Sequence, residues 1–248
     1  MPTKFQSALI VGGSRGVGRE LATAFDAKGI QTHIMARGTQ DRGPVSSDAS
    51  GIHIIQGNAT EQGVADKLLA DLQPDLVVLT AGATPTMTPF HQMTWAEFSA
   101  AWDTDVRIAF NFLTAALTLP MKPGGILVSF SSGAGLSGSR LSGGYAGAKR
   151  MQHFLTDYAR QEAVQGELGL RFLSIIPKQL VEGTEKGRAA ASAYAQSAGI
   201  PLEQLWSQWD APLTAAGLAS HVAEAVFHPD KWPAHAYAIT GIGLAELD

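Results

Sequence analysis

The chain of 248 residues is 45% hydrophobic and 16% charged, and its formal net charge at pH 7 is −4. These values indicate a globular protein with a large core and argue against a nucleic-acid partner. The chain has no cysteine, which excludes disulfides, thiolate metal sites and cysteine nucleophiles. Because no secretory signal opens the chain and no apolar stretch approaches the roughly 20 residues of a membrane span, we expect a cytoplasmic protein without a membrane partner.

Apolar, strand-like runs alternate with segments of helical periodicity along the chain. In chain order, these runs cover residues 7–11, 31–36, 52–56, 76–80, 125–130, 170–176 and 236–240. Between the first two runs, Val17, Leu21 and Phe25 fall on one face of a helix. The alternation predicts an α/β fold, a doubly wound parallel sheet with helices on both faces. No repeat or linker divides the chain, so residues 1–248 are predicted to form a single domain.

The longest connection, residues 178–212, follows the sixth strand-like run. It begins after Pro177 and carries Tyr194, Trp206 and Trp209. A connection of this length in a compact domain is usually a lid or a binding loop, so we predict that it covers a substrate. Its few charged residues favour a largely apolar substrate, although the two tryptophans fit core packing equally well.

A glycine-rich segment, residues 11–18 with the sequence VGGSRGVG, joins the first strand to the first helix. Glycine lets a backbone turn tightly and approach a pyrophosphate, and the free N–H groups of the following helix favour phosphate. The pattern alone is a weak signal, and a plain βα turn is the alternative. The predicted cofactor contacts in this segment are Gly12, Ser14, Arg15, Gly16, Val17 and Gly18.

The tip of the second strand indicates which dinucleotide is bound. A cofactor with a free ribose 2′-OH is usually held by an acidic residue about 20 residues past the glycines. Here the strand ends at Arg37 instead. Arg37 and Arg15 are suited to clamp a 2′-phosphate through planar, charge-assisted hydrogen bonds, which favours NADP(H) over NAD(H). The alternative is that both arginines are ordinary surface residues.

Tyr145 and Lys149 are separated by one helical turn and therefore share a face. A tyrosine is a poor acid–base catalyst at neutral pH, because its reference pKa is near 10, and a nearby ammonium lowers that pKa. Ser132 follows the fifth strand-like run, whose carboxyl end faces the ligand crevice of an open sheet. Its hydroxyl can donate to a substrate oxygen on which negative charge develops. These three side chains suit hydride transfer between a nicotinamide and a carbonyl or alcohol.

Taken together, these residues make the chain resemble the short-chain dehydrogenase/reductase family, and the resemblance extends over nearly the whole chain. The resemblance implies a Rossmann-type sheet of about seven strands, forming a dinucleotide-binding catalytic domain. It also implies that Tyr145 is the acid–base catalyst, that Lys149 tunes it and contacts the nicotinamide ribose, and that Ser132 orients the carbonyl. The further cofactor contacts that it implies are Asn58, Ala81, Gly82, Pro177 and, more loosely, Thr184.

The chain departs from the family pattern at several positions. Val11 replaces a threonine before the glycines, Leu79 and Thr80 stand where two asparagines are common, and Lys178 replaces a glycine. Asp105 occupies the place of the asparagine that holds a water next to the catalytic lysine. A carboxylate can hold the same water but adds a negative charge near Lys149, so Asp105 is a candidate catalytic residue of uncertain effect.

Two functions from different classes fit these observations. The first is an NADP(H)-dependent carbonyl reductase or alcohol dehydrogenase with a small-molecule substrate, and the second is a dinucleotide-binding redox sensor or scaffold with weak or lost catalysis. The seven histidines show no metal-ligand spacing, so we expect no metal. The family resemblance further implies a homodimer or homotetramer that pairs residues 100–119 and 144–165 across a two-fold axis.

Overall fold

The structure, a computed structural model, describes residues 5–38, 52–119 and 121–247. The first four residues, part of the segment in which no secretory signal is expected, lie outside the described residues. The strands are β1 Ser7–Val11, β2 Gln31–Ala36, β3 Ile52–Gln56, β4 Leu76–Leu79, β5 Ile126–Phe130, β6 Arg171–Pro177, β7 Ala236–Thr240 and β8 Gly243–Glu246. The α-helices are α1 Gly16–Asp26, α2 Val64–Leu72, α3 Trp95–Ala101, α4 Arg107–Thr118, α5 Ala134–Ser137, α6 Gly143–Gln165, α7 Glu185–Ala198, α8 Leu202–Trp206 and α9 Ala215–Phe227.

All eight strands form one sheet in the order β3-β2-β1-β4-β5-β6-β7-β8. Strands β1 to β7 pair in parallel, which confirms the predicted doubly wound sheet. Strand β8 adds an antiparallel edge that the sequence did not predict. The strand order reverses between β1 and β4, and a sheet of this kind binds its ligand at the carboxyl ends of the strands beside that reversal.

The sheet separates two apolar cores, because alternate side chains of a strand point to opposite faces. Ile10 on β1 and Val78 on β4 belong to the core under α1 and α9. Their neighbours Leu9 and Val77 belong to the core under α2, α4 and α6. Strands buried on both faces read as continuous apolar runs, which is why these strands were recognisable from the sequence.

The predicted lid, residues 178–212, folds into α7 and α8 with an apolar cluster of its own. Ala191, Ala195 and Leu205 are its buried members, and Trp206 packs against them. The connection is therefore a small helical layer next to the strand ends. Among the described residues, no helix is long and apolar enough to span a bilayer.

Candidate active site

A crevice of about 1300 Å³ lies at the carboxyl ends of the strands. The glycine-rich loop, the tip of β2, the ends of β4, β5 and β6, the start of α6 and the lid contribute to its walls. The crevice brings together the predicted residues Gly12, Ser14, Arg15, Gly16, Val17, Gly18, Arg37, Asn58, Ala81, Gly82, Ser132, Tyr145, Lys149, Pro177 and Thr184. Asp105 is fully buried and does not line the crevice.

The glycine-rich loop forms a cradle that side chains would fill. Gly12 has a φ of +94°, and a Cβ on it would lie 2.4 Å from the backbone nitrogen of Ala81. The Val11 carbonyl accepts from that nitrogen at 2.8 Å and from the Thr80 hydroxyl at 3.0 Å. Gly18 packs so closely that a Cβ would lie 2.5 Å from Thr80 Oγ1. This close approach of backbones at the start of α1 fits a dinucleotide pyrophosphate.

Lys149 is held by two hydrogen bonds and an ion pair. Its Nζ donates to Gln152 Oε1 at 2.7 Å and to the Phe130 carbonyl at 3.1 Å, and it lies 2.9 Å from Asp105 Oδ2, which accepts no hydrogen bond from the described residues. Nζ also lies 5.5 Å from the centroid of the Tyr145 ring. Two of the three N–H groups therefore have protein acceptors, and the third can donate to a ribose hydroxyl.

Charge and burial act on Lys149 in opposite directions. Burial alone lowers the pKa of Lys149, but the carboxylate of Asp105, with a smaller contribution from Tyr145, outweighs it and raises that pKa. Lys149 is therefore held as a cation beside the tyrosine. Gln152, which the sequence analysis did not identify, also donates from Nε2 to the Asp105 carbonyl at 3.1 Å. Its position three residues after Lys149 on α6 is the signal that could have found it.

Asp105 contacts Lys149 directly, whereas the sequence led us to expect a water between this position and the lysine. Asp105 lies in a π-helical turn, Trp102–Val106, between α3 and α4. Its Oδ1 accepts from the Ala83 backbone nitrogen at 2.7 Å. A Cβ on Gly82 would lie 2.4 Å from Oδ2, so only glycine there admits the carboxylate. Both carboxylate oxygens face donors, and an asparagine, with one acceptor oxygen, could serve only one of them.

Ser131 and Ser132 both follow β5, but Ser131 is buried in the protein and Ser132 lines the crevice. Ser131 is buried, and its hydroxyl donates to the Lys149 carbonyl at 2.7 Å, which fastens α6 to the end of β5. Ser132 lines the crevice together with Tyr145, and its Oγ accepts from the Ala134 nitrogen at 3.2 Å. The Ser132 hydroxyl therefore keeps its proton for donation toward a ligand.

Arg15 and Arg37 line the same end of the crevice. Arg15 forms an ion pair with Glu185, the first residue of α7, and both side chains are more than half exposed. Within the described ranges, the Arg37 guanidinium has no hydrogen-bond or ion-pair partner. The positive charge predicted for a 2′-phosphate is present, and one of its two sources is tied to the lid.

Asn58 and Thr184 line the crevice, and the Asn58 Oδ1 atom and the Thr184 hydroxyl already have protein partners. Asn58 Oδ1 accepts from the nitrogen and the hydroxyl of Thr60, at 3.2 Å and 2.9 Å. Thr184 is the N-cap of α7, since its hydroxyl accepts from the Gly187 nitrogen at 3.0 Å and donates to the Val181 carbonyl at 2.7 Å. These bonds shape the adjoining loops, and the predicted roles of both residues toward the cofactor stay predictions.

Two lysines from the lid also line the crevice. Lys178 is exposed, and Lys186, in the first turn of α7, is partly buried. The sequence analysis did not identify Lys186, because its approach to the glycine-rich loop depends on the path of the lid. A further contact joins the lid to the loop before α6, where Ser139 Oγ lies 2.5 Å from the Tyr194 hydroxyl.

The histidines lie away from this chemistry. His153 on α6 is half-buried, and its Nδ1 lies 2.9 Å from Ser174 Oγ. Across the part of the chain that the structure describes, no three His, Asp or Glu side chains come together as a metal site.

The glycine cradle and the Ser132, Tyr145 and Lys149 cluster define a dinucleotide-dependent oxidoreductase site. The profile of the short chain dehydrogenase family matches residues 6–189 of the chain. The protein therefore belongs to the short-chain dehydrogenase/reductase family, which confirms the resemblance drawn from the sequence.

Two relatives show how far the similarity extends. An acetoacetyl-CoA reductase of Rhizobium meliloti (strain 1021) is 30% identical over 202 residues, which cover 78% of this chain and 81% of that protein. An NADPH-dependent pterin aldehyde reductase of Arabidopsis thaliana is 28% identical over 171 residues, covering 65% of this chain and 70% of the relative. Both similarities span most of the domain.

Solved structures share the fold. The crystal structure of levodione reductase superposes with a TM-score of 0.77 at 19% identity, covering 95% of this chain and 96% of that one. The structure of ElxO with NADP bound gives a TM-score of 0.75 at 19% identity and covers 96% and 98% of the two chains. At these identities the similarity establishes the architecture of the sheet and its helices.

Proposed function

We propose that this protein is an NADP(H)-dependent carbonyl reductase or alcohol dehydrogenase. The observation that carries the proposal is the convergence of Ser132, Tyr145 and Lys149 on the crevice that also holds the glycine cradle. A relative named as an NADPH-dependent pterin aldehyde reductase and one named as an acetoacetyl-CoA reductase support this reaction class.

The chain's own residues would handle the proton and the developing charge. Gly12, Gly18 and Arg37 would hold the cofactor, which would supply a hydride for the carbonyl carbon. The Tyr145 hydroxyl gives its proton to the carbonyl oxygen, and Ser132 donates a hydrogen bond to the same oxygen. The Lys149 cation lies beside the tyrosine and stabilises the phenolate left behind.

The charges at the tip of β2 support NADP(H) over NAD(H). Arg37 stands where an acidic residue would be needed for a free ribose diol, and Arg15 lines the same end of the crevice. Each charge-assisted hydrogen bond to a phosphate contributes about 1.5–3 kcal/mol, less where solvent reaches it. We therefore expect a preference for NADPH of one to three orders of magnitude.

Fluorescence titration with NADPH and NADH tests the cofactor choice. Wild-type protein should bind NADPH more tightly, and Arg37→Ala should weaken NADPH much more than NADH. Rising salt should narrow the difference, because it screens exposed charges. Equal affinities for the two cofactors in the wild type would contradict the assignment.

The walls beyond Tyr145 support a largely apolar substrate. Leu136, Leu205 and Trp209 line the crevice that also holds Tyr145, whereas Trp206 packs into the lid's own cluster. A panel of aldehydes and ketones, with NADPH consumption as the readout, tests the reaction class. Turnover should be highest with apolar carbonyl compounds, and failure to oxidise NADPH with any member would leave the reductase proposal unsupported.

The rival proposal, a dinucleotide-binding sensor or scaffold, has one observation in its favour. The Lys149 ammonium already donates two hydrogen bonds to protein acceptors and is paired with the Asp105 carboxylate, which leaves less of it for a ribose hydroxyl. Tight NADPH binding without turnover across the carbonyl panel, and with alcohols in the reverse direction, would favour this rival. The cytoplasmic location stays a prediction that cell fractionation can test.

We further propose a homodimer or homotetramer that pairs α4 and α6 with a second copy. Phe110 on α4 is 56% exposed, and Tyr158 on α6 is 50% exposed. Phe154 and Tyr158 stack with an interplanar angle of 7°, which forms an apolar face next to α4. Light scattering should show an oligomer at micromolar concentration, and Phe110→Asp should shift it toward monomer. A monomeric wild type would refute this assembly.

A further inference from the structure

The first turn of α7 lies directly over the glycine-rich loop. A Cβ on Gly16 would lie 3.5 Å from Thr184 Cγ2, and the next residue, Glu185, forms an ion pair with Arg15. Lys186 follows in the same turn and lines the crevice. Its side chain is thus carried by the lid to the strand ends where the cofactor is expected to lie.

The Lys186 ammonium has cations around it and lacks a bound carboxylate. Over residues 5–38, 52–119 and 121–247, it forms no hydrogen bond or ion pair. Lys149 from α6, Arg15 from the glycine-rich loop and Arg37 from β2 all repel it, and Asp105 attracts it. Asp105, however, is already paired with Lys149.

The path of α7 locates Lys186 along the crevice. Thr184, the N-cap of α7, lies next to Gly16, and Lys186 follows two residues later and lines the crevice. The first turn of α7 therefore brings Lys186 to the glycine-rich loop. The anion of a dinucleotide that such a loop holds is the pyrophosphate.

The charged form of Lys186 is disfavoured in the protein without cofactor. Burial, followed by repulsion from Lys149, Arg15 and Arg37, lowers the pKa of Lys186 to about 8, although Asp105 opposes the change. A lysine whose charged form is disfavoured in this way destabilises the free protein, which indicates that it serves to bind a ligand. An anionic ligand would reverse the repulsion and favour the protonated form.

We propose that Lys186, carried by the first turn of α7, is a binding residue for the pyrophosphate of NADP(H). This inference rests on the proposed function, since it names a contact of the same cofactor. It adds a residue outside the glycine-rich loop, and it predicts that cofactor affinity falls as pH rises above about 8.

Binding and calorimetric measurements on Lys186→Met test the contact. The variant should weaken NADPH by about 10- to 100-fold, because one charge-assisted hydrogen bond is lost. Its affinity for 2′-AMP, which has the 2′-phosphate but no pyrophosphate, should stay at the wild-type level. Lys122→Met, which removes an exposed lysine outside the crevice, is the matched control and should change neither affinity.

Proton uptake separates a titrating lysine from a merely structural one. Calorimetry of NADPH binding in buffers of different ionisation enthalpy should show uptake of about half a proton at pH 8 in the wild type, as a pKa of about 8 requires. Lys186→Arg should keep most of the affinity but lose the uptake, because a guanidinium stays charged. Free Lys186→Met should also melt at a higher temperature at pH 7, since the partial desolvation of the ammonium and its repulsion by neighbouring cations are removed.

The outcomes distinguish this inference from the proposed function. A wild type that does not bind NADPH would overturn the proposed function. A wild type that binds NADPH while Lys186→Met binds it equally well, with unchanged proton uptake, would overturn the Lys186 contact alone. A loss of 2′-AMP affinity matching the loss of NADPH affinity would place Lys186 at the 2′-phosphate and also overturn the proposal.

Discussion

Two ion pairs at the crevice differ sharply in burial. The side chains of Lys149 and Asp105 are 7% and 0% exposed, whereas those of Arg15 and Glu185 are 54% and 61% exposed. Removing one partner of a buried pair leaves a charge without compensation and typically costs about 3–5 kcal/mol. An exposed pair contributes about 0–1 kcal/mol. The first pair therefore fixes the position of the proposed catalytic lysine. Breaking the second pair, so that Arg15 can bind the proposed 2′-phosphate, should cost little free energy.

Replacing Lys149, the cation of the buried pair, should have the largest effect on stability and activity. Lys149→Met leaves the Asp105 carboxylate buried beside Gln152 without a cation, so we expect a loss of about 3–5 kcal/mol in the free energy of unfolding. Carbonyl reduction should be abolished as well, because the cation beside Tyr145 is gone. Urea unfolding measures the first effect and NADPH consumption the second.

The double variant Lys149→Met with Asp105→Leu is the control for this prediction. Because it removes both charges, it should be more stable than Lys149→Met alone. Additive losses from the two substitutions would show that the pair has no coupling and would contradict the ion pair.

Replacing Asp105, the carboxylate of the buried pair, should have a smaller effect on stability and should change the pH dependence of activity. Asp105 raises the pKa of Lys149, so Asp105→Asn should lower it. Lys149 then loses its proton at lower pH, and the alkaline limb of the activity profile should move to lower pH. The loss of one acceptor for Ala83 or Lys149 should also cost about 1–3 kcal/mol of stability. A pH profile identical to that of the wild type would exclude coupling between Asp105 and catalysis.

Breaking the exposed pair should have the smallest effect. Glu185→Gln frees Arg15 for the 2′-phosphate, so NADPH affinity should rise by less than about fivefold, in line with a contribution below 1 kcal/mol. NADH affinity should be unchanged, and added salt should remove the gain. Glu203→Gln, on α8 and outside the crevice lining, serves as the control. A tenfold loss of NADPH affinity in Glu185→Gln would show that the ion pair organises the site.

The sheet could be predicted because its strands are continuous apolar runs. The predicted runs 7–11, 31–36, 52–56 and 236–240 coincide with β1, β2, β3 and β7. Runs 76–80 and 125–130 are one residue longer than β4 and β5, and run 170–176 is shifted by one residue from β6. Strand β8 was missed because its four residues are half-buried or exposed and show no apolar run. Strand β8 is held in the sheet by antiparallel pairing with β7, which is a tertiary contact.

The candidate site could be predicted where its signals are local in sequence. The glycine-rich segment predicts a tight turn by itself. The one-turn spacing of Tyr145 and Lys149 likewise predicts that both residues lie on one face of a helix. The pairing of Arg15 with Glu185 spans 170 positions and depends on how the lid folds back. The direct contact between Asp105 and Lys149 depends equally on a π-helical turn and on Gly82, and neither follows from periodicity.

The most direct test of the proposed reaction compares wild-type protein with Tyr145→Phe on a carbonyl substrate that the wild type reduces. The substitution removes only the proton-donating hydroxyl, so turnover should fall by about 100- to 10,000-fold. NADPH affinity, measured by fluorescence titration, should stay close to that of the wild type, because the ring and the glycine cradle are retained. Near wild-type turnover in Tyr145→Phe would contradict the assignment of Tyr145 as the proton donor.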